Sequence, residues 1–98
     1  MDTRDAQEMM RRLYLDRDRA RGVERTLLRT FQELSELSEA VASNAPSVDI
    51  AAEMADVFAW VCSLANLLGI DLSVALLAKY NNACSKCGQS PCRCEDGR

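Results

Sequence analysis

The sequence predicts an all-α fold: an antiparallel bundle of about four helices, completed by oligomerisation and followed by a short Cys-rich loop. No segment alternates apolar and polar residues as a half-buried strand does. The chain has only four glycines and two prolines, and its apolar content of 48% against 5% aromatics suits helices that pack through aliphatic side chains. Because a chain of 98 residues buries a modest core, a metal ion or a partner chain is an expected support.

Gly22 separates the first two predicted helices. The first helix is expected over about residues 5–19. The second begins near Thr26, a residue type suited to an N-cap, and continues to about Ser43 with apolar residues three and four apart.

A loop at residues 43–47 precedes the third predicted helix. Pro46 prevents the second helix from continuing, and Ser47 is suited to cap the next one. The third helix covers about residues 48–68 and ends at Gly69, a typical residue after a helix C-terminus.

The fourth predicted helix begins at Asp71 and reaches about Asn81. Beyond it the helical period is lost, so we expect a compact loop or a frayed tail. The predicted organisation is therefore a helical domain over residues 1–83 and a Cys-rich tail over residues 84–98.

Charge is distributed unevenly along the chain, whose formal net charge is −3. Residues 1–29 hold eight arginines and six acids, residues 30–78 hold seven acids and no base, and residues 79–98 hold four bases and two acids. Since acids are interspersed among the arginines, nucleic acid is not an expected partner.

No stretch reaches the 18 or so apolar residues that a membrane span requires. The first twelve residues are charged and no apolar run follows them, unlike a signal peptide. We therefore expect a cytoplasmic protein without a membrane partner, in which cysteines serve as thiols or metal ligands rather than disulfides.

Two pairs of acids carry the main functional signal. Glu33 and Glu36 are three residues apart on the second helix, and Glu53 and Asp56 are three apart on the third, so each pair shares a helix face. A short loop makes the two helices antiparallel neighbours, which places the pairs opposite each other. For the first pair alone, a solvated helix face is the simpler interpretation.

The second pair is harder to explain by solvation. Glu53 and Asp56 are the only charges between Ile50 and Ile70, in a segment apolar enough to be buried on all sides. Buried carboxylates without a counter-charge cost several kcal/mol, and no lysine or arginine lies nearby in the sequence. A cluster of oxygen ligands suits Mg²⁺ or Mn²⁺, which predicts metal-dependent phosphate chemistry.

The spacing Glu33-x-x-Glu36, sixteen residues, Glu53-x-x-Asp56 resembles the signature of the MazG-like all-α nucleoside triphosphate pyrophosphohydrolases. The segments QELSELSEA and EMADVFAWVCSLANLLGIDLSVALLAKYNN resemble that family's central helices, over about residues 22–82. One departure is Gln32, where the family often has a further glutamate.

The resemblance implies hydrolysis of a nucleoside triphosphate to the monophosphate and pyrophosphate by a homodimer or a dimer of dimers. It places Mg²⁺ on all four motif acids. A metal-bound water would attack phosphorus, with Glu36 or Glu39 as the base.

Further residues follow from the same resemblance. Lys79 is a candidate for phosphate contact, and Asn82 is a second one. Trp60 lies where the family often has an aromatic residue, and its alternatives are a core side chain or a surface that stacks against a base. The arginines of the first helix are expected to form a solvated face, whereas Arg25 and Arg29 are the best placed to reach a triphosphate.

Four cysteines lie close together at the C-terminal end. Cys84-x2-Cys87 is a familiar zinc half-site, although the Cys92-x-Cys94 half is tighter than usual. One structural Zn²⁺ on all four thiolates is the preferred interpretation, with a disordered tail or a redox pair as alternatives. Cys62 stands apart and is expected to be a small core residue.

Two other functions are compatible with these patterns. One is a non-catalytic helical interaction module with a zinc-clipped tail, and the other is a protein that binds nucleotides without turnover. The nucleotide cleaved is not specified by the sequence.

Overall fold

The computed structural model describes residues 1–95 and 97, and the described part is helical with no strand. The helices are α1 (Thr3–Arg21), α2 (Val23–Ala42), α3 (Ser47–Leu68) and α4 (Leu72–Tyr80). The prediction of a four-helix, all-α fold is therefore confirmed.

The junction between α1 and α2 is a single residue. Gly22 adopts a φ of 90°, which lets α2 begin directly after α1 ends. The predicted N-cap at Thr26 is therefore wrong, because Thr26 lies within α2 and is fully buried. At the other end of α1, Asp2 forms a capping box with Asp5.

The ends of α3 and α4 agree more closely with the predictions. Gly69 follows α3 with a φ of 68°, and the carboxylate of Asp71 caps α4 by accepting the N–H of Ser73 at 2.9 Å. The predicted cap at Ser47 is wrong: Pro46 occupies the N-cap position, and Ser47 is already the first helical residue.

Helix α3 occupies the centre of the fold and packs against both α1 and α2. Hydrogen bonds from Gln7 of α1 hold the α3–α4 turn in place. Its Nε2 donates to the Asn66 side chain at 3.0 Å, and its Oε1 accepts the backbone N–H of Leu72 at 3.0 Å. These contacts tie the α3–α4 turn to α1.

Helices α3 and α4 meet at a bend of 99°. Among the described residues, no single helix is long and apolar enough to cross a membrane, and only this bent pair taken together passes that test by length and composition.

The single chain buries little apolar surface. Among the described residues, its buried apolar side chains are Ala6, Cys62 and Ala65. Cys62 is fully buried, as expected for a small core residue, and burial raises the pKa of its thiol. The expectation that α3 is buried on all sides is wrong for one chain, since Phe58 remains 45% exposed. The reason is that α1 and α2 cover only part of α3.

Candidate active site

Three acids converge where α2 packs against α3. One carboxylate oxygen from each of Glu33, Glu53 and Asp56 lies within 4.8 Å of the other two. Glu33 is buried, Glu53 is half-buried and Asp56 is exposed, so the group extends from the helix interface to the surface. The structure thus brings together three of the four acids that the motif predicts as metal ligands.

The fourth acid, Glu36, lies next to this group. Its side chain is exposed, and its carboxyl is near enough to that of Glu33 to raise the pKa of Glu33. Glu39 is also exposed, one turn further along α2. Both candidate bases are therefore open to solvent.

The environment of the acidic group disfavours negative charge. Burial raises the pKa of Glu33 above its ordinary value of 4.5, and Glu36 and Asp56 raise it further, while Arg29 lowers it. Oε2 of Glu53 is buried and has no hydrogen-bond partner among the residues that the structure describes. A cation placed among these oxygens would remove both penalties.

Arg29 supplies one counter-charge that the sequence analysis missed. Its Nη2 lies 3.0 Å from Oε1 of Glu33, and its Nη1 donates to Gln32 at 3.1 Å. The absence of a nearby base was inferred for Glu53 and Asp56 only; for Glu33, one helical turn connects the arginine-rich segment to the acidic one. Within residues 1–95 and 97, no ion pair joins Glu53 or Asp56 to a base.

Trp60 was expected to be either a core side chain or a surface that stacks against a base. The structure shows it half-buried, so it is not a core side chain. The guanidinium carbons of Arg21 and Arg29 lie 4.6 Å and 5.1 Å from its ring centroid, within the range of cation–π attraction. Trp60 therefore positions two arginines near the acidic group.

Asp18 is a buried polar residue that the sequence analysis did not identify. Only 1% of it is exposed, and its Oδ1 accepts a hydrogen bond from Nη1 of Arg21 at 2.8 Å. Arg21 also reaches the hydroxyl of buried Thr26, at 3.5 Å. The prediction of a solvated face is therefore wrong for Arg21, although Arg11, Arg12, Arg17 and Arg19 are exposed. The i,i+3 spacing of Asp18 and Arg21 was the available signal.

Comparison with known families agrees with this geometry. The MazG nucleotide pyrophosphohydrolase domain matches residues 21–88, a range that contains α2, α3, α4 and both acidic pairs. The chain belongs to the MazG family. A comparison with curated proteins found no significant match.

Two other residues of the MazG domain lie away from the acidic group within one chain. Lys79 and Asn82 line a cavity of about 510 Å³ between the end of α4 and the Cys-rich tail. Their assignment to phosphate binding stays a prediction.

The four tail cysteines do come together, and their sulfur atoms all lie within 4.8 Å of one another. Backbone N–H groups of Cys87 and Lys86 donate to the Cys84 sulfur and lower the pKa of that thiol to about 6. Hydrogen bonds with the thiols of Cys92 and Cys84 raise the pKa of Cys94 to about 12. The MazG match ends at residue 88, so Cys92 and Cys94 lie beyond it.

Proposed function

We propose that this chain hydrolyses a nucleoside or deoxynucleoside triphosphate to the monophosphate and pyrophosphate, with Mg²⁺ or Mn²⁺ as cofactor, as part of nucleotide-pool clean-up. The observation that carries this proposal is the convergence of Glu33, Glu53 and Asp56 from two helices in a chain of the MazG family. Glu36 completes the proposed ligand set from its place beside Glu33.

The donor set fits a hard divalent ion. Carboxylate oxygens are the ligands that Mg²⁺ and Mn²⁺ prefer, and the unpartnered Oε2 of Glu53 together with the raised pKa of Glu33 marks a place where positive charge is missing. When bound, such an ion acts as a Lewis acid toward phosphoryl oxygens.

The remaining residues have separate roles in this proposal. Glu36 or Glu39 accepts the proton of the attacking water, because both carboxyls are exposed on α2 and Glu36 lies beside Glu33. Arg29, whose side chain is 46% exposed, contacts a phosphate, and Trp60 holds its guanidinium in place. Lys79 and Asn82 contribute from a second chain.

A homodimer or a dimer of dimers is part of the proposal. Leu27, Phe31, Leu34 and Val41 recur on one face of α2 and are 44%, 63%, 50% and 53% exposed. An apolar stripe of this length is typical of a surface that another copy covers. Burial of this stripe would supply the core that the single chain lacks.

We also propose that the tail binds one structural Zn²⁺ in the cytoplasm, where thiols stay reduced. In a tetrahedral site with Zn–S bonds of about 2.3 Å, sulfur atoms are roughly 3.8 Å apart. The sulfurs of Cys84 and Cys94 lie 3.7 Å apart, close to that spacing. All four positions of such a site are filled by Cys84, Cys87, Cys92 and Cys94, so its role is structural.

The decisive experiment measures pyrophosphate release from a panel of triphosphates with Mg²⁺. The wild type is expected to release pyrophosphate, and Glu53→Gln and Asp56→Asn are expected to lose the activity. Asp49→Asn, an exposed acid in the first turn of α3, serves as the matched control and keeps it.

Two results would contradict the proposal in different ways. Magnesium-dependent binding of triphosphates without product would favour the nucleotide-binding alternative. If triphosphates neither bind nor react, the interaction module is favoured.

A further inference from the structure

A cavity of about 240 Å³ lies between α1 and α3, next to the acidic group. Asp18 and Arg21 line it from α1, and Asp56, Trp60 and Ser63 line it from α3. Asp56 belongs both to this cavity and to the converging carboxylates. A ligand whose phosphates lie at the acids can therefore extend directly into the cavity.

Asp18, one of the residues that line the cavity, carries an unsatisfied acceptor. Its Oδ1 is occupied by Arg21 at 2.8 Å, whereas its Oδ2 is buried and unpaired among the residues that the structure describes. An unsatisfied buried acceptor costs free energy, and more so when it is charged. No donor in the described part of the chain reaches Oδ2, so a donor on a bound ligand would remove this cost.

The other walls fit a flat heterocycle. The ring of Trp60 and the side chains of Met10 and Ala59 form apolar surface, and the Asp18 carboxylate is the buried acid among the lining residues. Small-molecule sites commonly combine apolar walls with a few polar groups that fix orientation.

We propose that this cavity receives the base of the triphosphate and that Asp18 selects a base with an exocyclic amine. This inference rests on the proposed function. An ionised carboxylate only accepts hydrogen bonds, so the amine of cytosine or adenine satisfies Oδ2, whereas the carbonyl of uracil or hypoxanthine at that place leaves it unpaired. Sites built around a buried polar group discriminate strongly against analogues that lack the matching group.

The test compares kcat/KM for CTP against UTP and for ATP against ITP. The amine-bearing substrate is expected to be better by roughly 10- to 100-fold in each pair, the range for a hydrogen bond to a charged group. The triphosphate of pyrimidin-2-one riboside, which has hydrogen in place of the amine of cytidine, should fall below CTP by a similar factor.

Asp18→Asn is the diagnostic variant. Its amide oxygen still accepts from Arg21 while its NH₂ replaces the free acceptor with a donor, so the CTP/UTP ratio should fall to one or below. Asp16→Asn changes an exposed acid of the same helix, and the ratio should stay at the wild-type value.

Outcomes against the inference are distinct from failure of the proposed function. Absence of pyrophosphate release from every triphosphate contradicts the proposed function, and the base preference is then decided by calorimetric binding of CMP and UMP. Turnover with equal use of CTP and UTP, or an equal loss on both in Asp18→Asn, overturns the role of Asp18 alone. If Asp18→Asn does not fold, the three wild-type comparisons decide the matter.

Discussion

The guanidinium of Arg29 lies 3.0 Å from the carboxylate of Glu33, and the two side chains differ in their access to solvent. The side chain of Glu33 is 7% exposed, whereas that of Arg29 is 46% exposed. Arg29 thus supplies the positive charge that Glu33 lacks in the metal-free protein. The proposed cation and Arg29 would compete for the same carboxylate, so that metal binding frees Arg29 for a phosphate.

Arg29→Gln is therefore expected to destabilise the metal-free protein. Because Arg29 is nearly half exposed, the loss is about 1 kcal/mol rather than that of a fully buried pair, or roughly 4–8 °C in Tm. Thermal melts in EDTA measure it, with Arg12→Gln, an exposed arginine of α1, as the control. In saturating Mg²⁺ the deficit should shrink; an identical deficit in both conditions would show that the ion and Arg29 do not share Glu33.

The raised pKa of Glu33 predicts how stability changes with pH without metal. The folded chain holds this proton more tightly than the unfolded chain, so the favourable contribution is complete below pH 4.5 and is lost as pH rises through the folded-state pKa. The free energy of unfolding of the wild type, minus that of Glu33→Gln, should decrease from pH 4 to pH 7. Urea titrations in EDTA at several pH values measure the difference. A difference that increases with pH would contradict the direction of the shift.

Divalent ions should stabilise the wild type at pH 7. Ligand at 100 times its Kd adds about 2.7 kcal/mol to the free energy of unfolding. Glu53→Gln should abolish the Mg²⁺-dependent rise in Tm without lowering Tm in EDTA, because its NH₂ replaces an unpartnered buried carboxylate oxygen and can donate to the neighbouring acids. Thermal melts with and without Mg²⁺ decide this. The interaction-module alternative instead predicts no effect of the ion on either protein.

Much of the fold could be predicted from local signals. Gly69 follows α3 as predicted, and α4 begins at Leu72, one residue after the predicted start at Asp71, which caps the helix. The start of α2 could not be predicted as well, since Gly22 joins two helices without a loop and the helix continues through Thr26. The φ of 90° at Gly22 allows α2 to begin at Val23, so this glycine and not the capping preference of Thr26 sets the boundary.

The candidate site, like the fold, could be predicted from the sequence only in part. The i,i+3 spacing identified Glu33, Glu53 and Asp56 because helix periodicity places them on facing surfaces. The Arg29–Glu33 ion pair has i,i+4 spacing, and it was missed because Arg29 belongs to the arginine-rich segment and Glu33 to the acidic one. Asp18 was missed because its burial depends on how α1 packs on α3, which the periodicity of α1 alone does not reveal.

Cys84 should be the most reactive of the tail thiols in zinc-free protein. Donated N–H groups lower its pKa to about 6, so it is mostly thiolate at pH 7, whereas the pKa of Cys94 is raised to about 12. Iodoacetamide labelling followed by mass spectrometry should show Cys84 modified first, with a rate that reaches half its maximum near pH 6. Bound Zn²⁺ should suppress the labelling of all four tail cysteines. Equal labelling of Cys84 and Cys94 at pH 7 would contradict the distribution of thiolate.

The apolar stripe on α2 predicts that a charged substitution within it weakens oligomerisation. Phe31 is 63% exposed in the single chain, and Leu27 and Leu34 flank it one turn away on the same face. Phe31→Glu would place an unpaired charge in the proposed subunit interface. The dissociation constant of the oligomer should therefore rise by about 10- to 100-fold. Sedimentation velocity measures this shift, and Ala20→Glu, which adds the same charge at an exposed position of α1, is the matched control and should leave it unchanged. If the wild type sediments as a monomer at micromolar concentration, the stripe is not a contact between copies, and the roles given to Lys79 and Asn82 in a second chain fail with it.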